Sequence, residues 1–305
     1  MPAPDTAWSA IPGRSGTGLS RRRLLAGAGG GVIALAAASP QAQAAPAADP
    51  WPRWKAHGDD PQAAPDHSPW TAFLKDYLKP GQDGINRVAY GAVTASARQD
   101  LDAYLARLGK ADIAAMPRDA QFAFWVNLYN ALTVQVILDH YPVDSIRDIN
   151  ISPGWFSTGP WGKTLIAVDG VDLSLDDIEH RILRPLWQDP RIHYAVNCAA
   201  LGCPNLRGEA MTAANKESFL QAGARDYVNH PRGATVRDDG KLVVSSIYDW
   251  FQEDFGGTEA GVLAHLRRHA TPDLAESLAQ GREIARYRYD WTLNDAREGA
   301  AETAS

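Results

Sequence analysis

The apolar positions of the chain are densest over residues 122–138, where nearly every position is apolar. A helix at a protein surface has a polar face, so a helix that is apolar all round belongs in the centre of a fold. Asn127 and Asn130 interrupt this stretch three positions apart and therefore share one side of the helix. Buried amides must be hydrogen-bonded, so we expect both to hold backbone groups or to face a ligand.

Helical periodicity recurs along the rest of the chain, and short apolar runs flank two Asp-Gly turns. Helices are predicted at 68–78, 96–108, 175–187, 214–229, 247–255 and 259–270. The turns at 169–170 and 239–240 predict β-hairpins, and further strands are expected at 85–90 and 283–289. Because strands and helices do not alternate as βαβ units, the pattern predicts an α+β fold. In this fold a central buried helix and surrounding helices pack on a small antiparallel sheet.

The first 44 residues have the features of an export signal. Arginines at 21–23 precede a weakly apolar, Gly-rich run, and Ala42-Gln43-Ala44 forms a small-x-small cleavage site. This run is too short to span a bilayer, so no stable membrane anchor is expected. The sequence therefore predicts a twin-arginine signal peptide over 1–44 and a periplasmic mature protein. The mature chain is divided into a flexible leader over 45–67, a single domain over 68–295 and a disordered tail over 296–305.

Charge and motifs narrow the classes of function. The formal net charge at pH 7 is −6, and removal of the arginine-rich signal peptide makes the chain more acidic. An acidic chain is a poor partner for nucleic acid, so we expect a small-molecule or peptide substrate. The sequence has no G-x-S-x-G elbow, no GxGxxG or P-loop and no HExxH motif. These absences argue against a serine hydrolase, a nucleotide enzyme and a zincin, and no cofactor is predicted.

The two cysteines of the chain lie five positions apart, in a segment that predicts a short strand followed by a Gly-Pro turn. In a straight strand His193 and Cys198 would lie about 16 Å apart on opposite faces. Either Cys203 folds back toward His193, or Cys198 meets His180 of the preceding helix. Three hypotheses fit the thiols: a reactive cysteine beside an imidazole, a structural disulfide and a metal site. The spacing does not match the usual zinc patterns, so the metal site ranks last and no metal is predicted.

Glu179 has the most unusual environment predicted for any acid of the chain. In a helix over 175–187 it falls inside the apolar stripe, whereas His180 lies on a flank. Arg181 and Arg184 are predicted to point toward solvent. A carboxylate in a core stripe needs a partner, so we expect Glu179 to orient an imidazole or to form a buried salt bridge with an arginine.

Several segments, in this order and spacing, resemble the family of domain of unknown function 547. They are Asp83-Gly84 with Val88-Ala89-Tyr90, FWVNLYNAL at 124–132, IEHRILR at 178–184, DPRIHYAVNC at 189–198, Cys203-Pro204 and YDWTLN at 289–294. The resemblance implies one known domain without an assigned reaction. By analogy of architecture it is similar to the papain/transglutaminase class, in which the nucleophilic cysteine heads the central helix. Here that helix carries Asn127 and no cysteine.

The leading hypothesis is an exported cysteine-dependent hydrolase or transferase acting on a small amide, peptide or thiol-containing substrate. The candidate nucleophiles are Cys198 and Cys203, the candidate bases are His193 and His180, Glu179 would orient the imidazole, and Asn127, Asn130 and Asn197 would hold substrate or oxyanion. The alternative is a non-catalytic periplasmic ligand- or partner-binding module with a Cys198–Cys203 disulfide. Thiol–disulfide exchange is a third hypothesis, although the C-x4-C spacing departs from the usual C-x-x-C.

Overall fold

Helices form most of the regular structure in the computed structural model, which describes residues 47–297 except 155–157 and 282. They are α1 (Ser68–Tyr77), α2 (Ala95–Leu108), α3 (Arg118–His140), α4 (Arg184–Trp187), α5 (Lys216–Val228), α6 (Ile247–Trp250), α7 (Glu259–His269) and α8 (Pro272–Ala279). The last of these, α8, has no counterpart in the sequence prediction. The predicted signal peptide and most of the predicted tail lie outside the described residues.

The described strands form three small sheets. β1 (Leu78–Pro80) pairs with β2 (Asn86–Val88), and β3 (Ile166–Val168) pairs with β4 (Val171–Leu173), both antiparallel. β5 (Ala234–Val236) is antiparallel to β6 (Leu242–Ser245), and β7 (Ile284–Arg288) joins β6 in parallel. The α+β class and both Asp-Gly hairpins are confirmed. The parallel pair departs from the predicted antiparallel sheet because α6, α7 and α8 form a long crossover between β6 and β7.

Helix α3 runs through the larger hydrophobic core, as its pattern predicts. From Ala120 to Leu138 its residues are buried, with Gln135 as the exception. A second core lies around α5, α7 and the three-stranded sheet. Ile192 packs in the first core and Tyr194 in the second. The segment directly after Tyr194 therefore starts at the boundary between the two cores.

The helix predicted over 175–187 is a π-helix from Asp177 to Leu183 that continues as α4. In a π-helix the carbonyl of residue i accepts a hydrogen bond from the N–H of residue i+5, as the Glu179 carbonyl does from the Arg184 N–H. The wider turn rotates Arg184 inward relative to an α-helix, and this residue is 5% exposed. The prediction that Arg184 faces solvent is therefore wrong.

The beginning of the described chain lies along this π-helix. Pro185 has no N–H, so carbonyls of the preceding turn lack a donor within the helix. The N–H groups of Asp49 and Trp51 supply it, bonding the carbonyls of His180 and Arg181 at 3.0 Å each. The segment around Asp49 and Trp51 thus completes the hydrogen bonding of the π-helix that carries Glu179.

The described part of the predicted flexible leader packs on the domain. Trp54 is buried edge-on against Trp125, with ring centroids 5.0 Å apart. His67 is also buried and bonds the Tyr104 hydroxyl at 2.7 Å. Aromatic contacts of this size stabilise the described part of the leader on the domain, although its polar composition predicted flexibility. None of the helices within the described ranges is long and apolar enough to cross a bilayer.

Candidate functional site

Both cysteines lie in residues 197–204, here called the cysteine loop. The C-terminal segment 289–295 pairs with this loop through backbone hydrogen bonds. They run from the Leu201 N–H to Thr292, from the Gly202 N–H to Asp290 and from the Asn294 N–H to Ala199, at 2.8, 2.8 and 3.0 Å. The last motif of the family resemblance therefore holds the cysteine loop in place.

The strand predicted ahead of the cysteines is wrong, because Pro190–Tyr194 is a 3-10 helix. Asp189 caps it by accepting from the Arg191 N–H at 2.9 Å, and proline occupies the first helical position. The extended spacing between His193 and Cys198 consequently does not apply.

Asn127 and Asn130 of α3 hold backbone rather than facing a ligand. The Asn127 amide donates to the Met211 carbonyl at 2.8 Å and accepts from the N–H of the same residue at 3.0 Å. Asn130 donates to the Ala195 carbonyl and accepts from the Asn197 N–H, both at 2.8 Å. The central helix therefore fixes the start of the cysteine loop.

Asn197 continues this arrangement inside the loop. Its amide donates to the Pro204 carbonyl at 2.7 Å and its oxygen accepts from the Ala199 N–H at 2.8 Å. The side chain thus ties the two ends of the loop together. All three asparagine side chains, Asn127, Asn130 and Asn197, therefore hold backbone groups, and their binding of a substrate stays a prediction.

The two thiols are free and share one partner. Cys198 Sγ lies 3.2 Å and Cys203 Sγ 3.0 Å from the Tyr289 hydroxyl oxygen. The N–H groups of Cys198 and Ala200 donate to Cys203 Sγ, the first at 3.0 Å. The two thiols also hydrogen-bond each other. Cys203 is buried and Cys198 is partly exposed.

Ala199 separates the two N–H groups that donate to the Cys203 sulfur. Its φ of 59° lies in the left-handed region, which costs a residue with a side chain about 1–2 kcal/mol. A left-handed residue at such a turn directs neighbouring N–H groups toward one point and creates an anion-binding concavity. The strained alanine is therefore part of the site that receives the Cys203 sulfur.

The surroundings shift the pKa values of the two thiols in opposite directions. Burial opposes ionisation of Cys203, but hydrogen bonds from Cys198, from Tyr289 and from two backbone N–H groups outweigh it and lower the pKa. The pKa of Cys198 is raised by its hydrogen bond to Cys203 and by burial. The pair therefore carries one negative charge, on Cys203, at a pH where an ordinary thiol is protonated.

A second polar cluster forms around His193. Its Nε2 lies 2.6 Å from Asp254 Oδ2, and its ring stacks on Phe251 with centroids 4.1 Å apart. Arg184 donates to the same carboxylate at 2.6 and 3.2 Å. Partial burial raises the pKa of Asp254, but the bonds from His193 and Arg184 lower it to about 2. Burial lowers the pKa of His193, so the ring is neutral and donates from Nε2 to an ionised Asp254.

Glu179 is 7% exposed, as its place in the apolar stripe predicts. Its Oε1 lies 3.6 Å from His193 Nδ1, and the Tyr129 hydroxyl bonds its carboxylate. Burial raises the pKa of Glu179 to about 7, against the opposing effect of Arg184. The Cys203 thiolate also raises this pKa, so the carboxyl group and the thiol pair act on each other electrostatically.

Within the described residues, neither candidate histidine is placed beside a sulfur. His180 Nδ1 accepts from Arg184 at 3.1 Å, and its Nε2 lies 3.6 Å from Asp176. Burial, followed by the charge of Arg184, lowers the pKa of His180 to about 3. The cysteine–histidine pairs expected from the sequence are not assembled, and the group that contacts both sulfurs is the hydroxyl of Tyr289.

Tyr289 also connects the thiols with an aromatic surface. Its ring contacts Trp250 and Trp291 with centroids 4.8 and 4.7 Å apart, and these two indoles stack at 5.5 Å. The three rings are partly exposed. The guanidinium of Arg147 lies 5.3 Å from the ring centroid of Trp291. A planar or apolar group can therefore be bound beside Cys198, with a cation nearby.

Sequence reasoning missed three residues of the site: Tyr129, Asp254 and Tyr289. Tyr129 and Tyr289 lie inside motifs of the family resemblance, so a signal for them is present in the sequence. Asp254 lies 61 positions from its partner His193, and no local pattern points to it.

Gly202 provides a test of the close packing behind the thiols. A Cβ at this position would lie 2.8 Å from both the N and the O of Asp290 and 3.0 Å from the Tyr289 ring. We expect Gly202→Ala to lower the free energy of unfolding by about 1–3 kcal/mol, because the paired backbones cannot separate without breaking their bonds. Urea unfolding measures this. Gly208→Ala is the control, since nothing lies within 4 Å of its Cβ, and an equal loss there would contradict the argument.

Comparison with known proteins gives one match. Residues 113–228 match a family model described as protein of unknown function, DUF547. No curated protein and no solved structure matches the chain. The matched segment contains α3, the π-helix, the cysteine loop and α5, whereas the motifs at 83–90 and 289–294 lie outside it. Among the described residues, no group of three or more His, Cys, Asp or Glu side chains is arranged to hold a metal ion. The match therefore confirms the resemblance to the DUF547 family over residues 113–228.

Proposed function

We propose that this protein is an exported cysteine-dependent hydrolase or transferase whose nucleophile is supplied by Cys198 and Cys203. The proposal rests on the hydrogen bonds to the Cys203 sulfur, which come from two backbone N–H groups, the Tyr289 hydroxyl and the Cys198 thiol. Cysteine chemistry requires a thiolate, and these donors stabilise one without an adjacent imidazole.

The roles proposed for the two sulfurs differ with the exposure of their residues. Cys198 is partly exposed and can reach a substrate, whereas Cys203 is buried. Transfer of the Cys198 proton to the Cys203 thiolate moves the charge to Cys198. Its sulfur then attacks the carbonyl carbon of an amide, peptide or thioester and forms a C–S bond, the bond to the leaving group breaks, and the leaving group takes up one proton from the medium. Water or an acceptor then attacks the resulting thioester, the C–S bond breaks and the acyl group leaves on the attacking oxygen, nitrogen or sulfur. The proton of the attacking group is released to the medium, so that the thiolate returns.

The surroundings of Cys198 support a small-molecule or peptide substrate. The partly exposed rings of Tyr289, Trp250 and Trp291 provide a surface for a planar or apolar substituent next to the attacking sulfur. The arginine motif at 21–23 and the cleavage site that ends at Ala44 support export to the periplasm.

A non-catalytic ligand- or partner-binding module is the second candidate, and the hydrogen bond between the two thiols favours it. Thiols in contact are readily joined as a disulfide in an oxidising compartment. A stable Cys198–Cys203 disulfide would remove the nucleophile, and the aromatic surface would then serve recognition alone.

The thiol state of the mature chain from residue 45 onward separates these two functions. Iodoacetamide at about pH 6 leaves an ordinary thiol, with a pKa of about 8.5, almost unmodified. We expect intact mass spectrometry to show rapid addition of one carbamidomethyl group without reductant, and Cys198→Ala to lose it. Addition only after reduction would refute the enzyme and support the disulfide-bearing binding module.

A further inference from the structure

The cluster around His193 opens to solvent at Asp254. Asp254 and Arg184 line a groove of about 340 Å³ together with Pro50, Gln188 and Glu253. The Asp254 side chain is 21% exposed, whereas that of Arg184 is 3% exposed. The carboxylate of Asp254 is therefore the place where the buried cluster meets water.

A series of titratable groups leads inward from this groove, and the innermost of them, Glu179, interacts electrostatically with Cys203. Asp254 bonds His193 Nε2 at 2.6 Å, and Glu179 lies 3.6 Å from Nδ1 of the same ring. The Tyr129 hydroxyl bonds Glu179, and both sulfurs act electrostatically on Tyr129. His193 and Glu179 are buried, so the route to bulk water along this series ends at Asp254.

We propose that Glu179, His193 and Asp254 form a proton relay between the thiol pair and the groove. Its part in turnover rests on the cysteine chemistry proposed above. Thiol ionisation sends a proton outward through the relay, and protonation of the leaving group draws one inward. Arg184 holds Asp254 in place and is a positioning residue.

The hydrogen bond between Asp254 and His193 sets the tautomer of the ring and therefore the direction in which it can pass a proton. Asp254 is ionised, so His193 carries its proton on Nε2 and presents a lone pair on Nδ1 to Glu179. When the thiol pair ionises, its proton reaches Glu179, the Glu179 proton passes to Nδ1, and the Nε2 proton leaves through Asp254 to groove water. Protonation of the leaving group by Glu179 reverses each transfer. The two half-cycles together move no net proton and restore the original tautomer of His193.

The negative charge of the thiol pair links the protonation of Glu179 to formation of the C–S bond. The groups that act on Glu179 are Arg184, Tyr129, Asp176 and Cys203, and His193 Nδ1 faces its carboxyl oxygen. The thiolate favours the protonated form of Glu179. Formation of a C–S bond removes the negative charge of the thiol pair, so the pKa of Glu179 falls when the leaving group needs a proton.

Two measurements test the relay, and the first does not depend on turnover. The mature protein is reduced and its thiol pair is alkylated with iodoacetamide at about pH 7 while infrared difference spectra are recorded. Alkylation removes the charge on sulfur, so we expect the C=O stretch of one protonated carboxyl group to be lost. Glu179→Gln should lack this signal. A wild-type spectrum without the loss, or the same loss in Glu179→Gln, would overturn the proposal.

The second measurement uses two model substrates that differ in their need for a proton. Acetyl anilide releases an amine that must be protonated, whereas p-nitrophenyl acetate releases a stable anion. We expect Glu179→Gln and Asp254→Asn to slow the anilide by roughly 100-fold and the ester by less than about tenfold. Glu253→Gln, in the same groove but outside the relay, should change neither rate. Equal slowing of both substrates by Asp254→Asn would show a structural role only.

The outcomes of the two measurements separate the relay from the enzyme. A wild-type protein that turns over neither substrate but shows the carboxyl signal would retain the relay and reject the cysteine hydrolase or transferase. Turnover of the ester without any carboxyl signal would retain the enzyme and reject the relay.

Discussion

Replacement of Cys203 by alanine is expected to slow alkylation of Cys198 at about pH 7 by roughly tenfold or more. In the wild type the first proton leaves a hydrogen-bonded pair, and donors around Cys203 make this ionisation easier. Without Cys203, the Cys198 thiol must ionise alone in a partly buried position. Each unit of increase in its pKa lowers the thiolate fraction tenfold below that pKa, and turnover of p-nitrophenyl acetate should decrease with it.

Alkylation rates from about pH 5 to about pH 9 check this expectation. Tyr289→Phe keeps both sulfurs but removes one hydroxyl, so its pH profile should lie between those of the wild type and Cys203→Ala. Cys198→Ala should lose rapid alkylation altogether, because the remaining sulfur is buried. A wild-type rate at about pH 6 in Cys203→Ala would show that Cys203 does not receive the proton of Cys198.

The local sequence predicts the parts of the fold that depend on neighbouring residues. The all-apolar pattern finds α3, although the helix begins at Arg118 rather than 122, and the two Asp-Gly turns place both hairpins. The segment before the cysteines is mispredicted because its apolar residues suggest a strand, while the Asp189-Pro190 pair starts a 3-10 helix.

The site depends on contacts that local patterns do not reveal. Tyr289 lies 86 and 91 positions from the two cysteines that it contacts, and it reaches them through pairing of the last segment with the cysteine loop. The candidate histidines are buried but engaged with Asp254 and Arg184. Residue types therefore identify the chemistry of the region, whereas their partners follow from the way in which distant segments pack.

Arg184→Met is expected to lower the free energy of unfolding by about 3–5 kcal/mol, the usual effect of removing one partner of a buried ion pair. Arg184 donates twice to Asp254 and its side chain is 3% exposed. Methionine fills similar space but leaves the partly buried carboxylate of Asp254 without its cation. The loss therefore comprises the ion pair with Asp254 and the hydrogen bond to His180 Nδ1, rather than packing volume.

Arg181→Met is the matched control, because the two arginines lie three positions apart and look alike in the sequence. Arg181 is 38% exposed, bonds Asp177 at 3.0 Å and stacks on Trp51 at 4.0 Å. An exposed ion pair contributes about 0–1 kcal/mol, so its replacement should cost no more than about 1 kcal/mol. Urea unfolding of both variants, with slopes compared, measures the difference. Equal losses would mean that the inward rotation of Arg184 by the π-helix does not create a buried ion pair, and that Asp254 is held ionised by His193 alone.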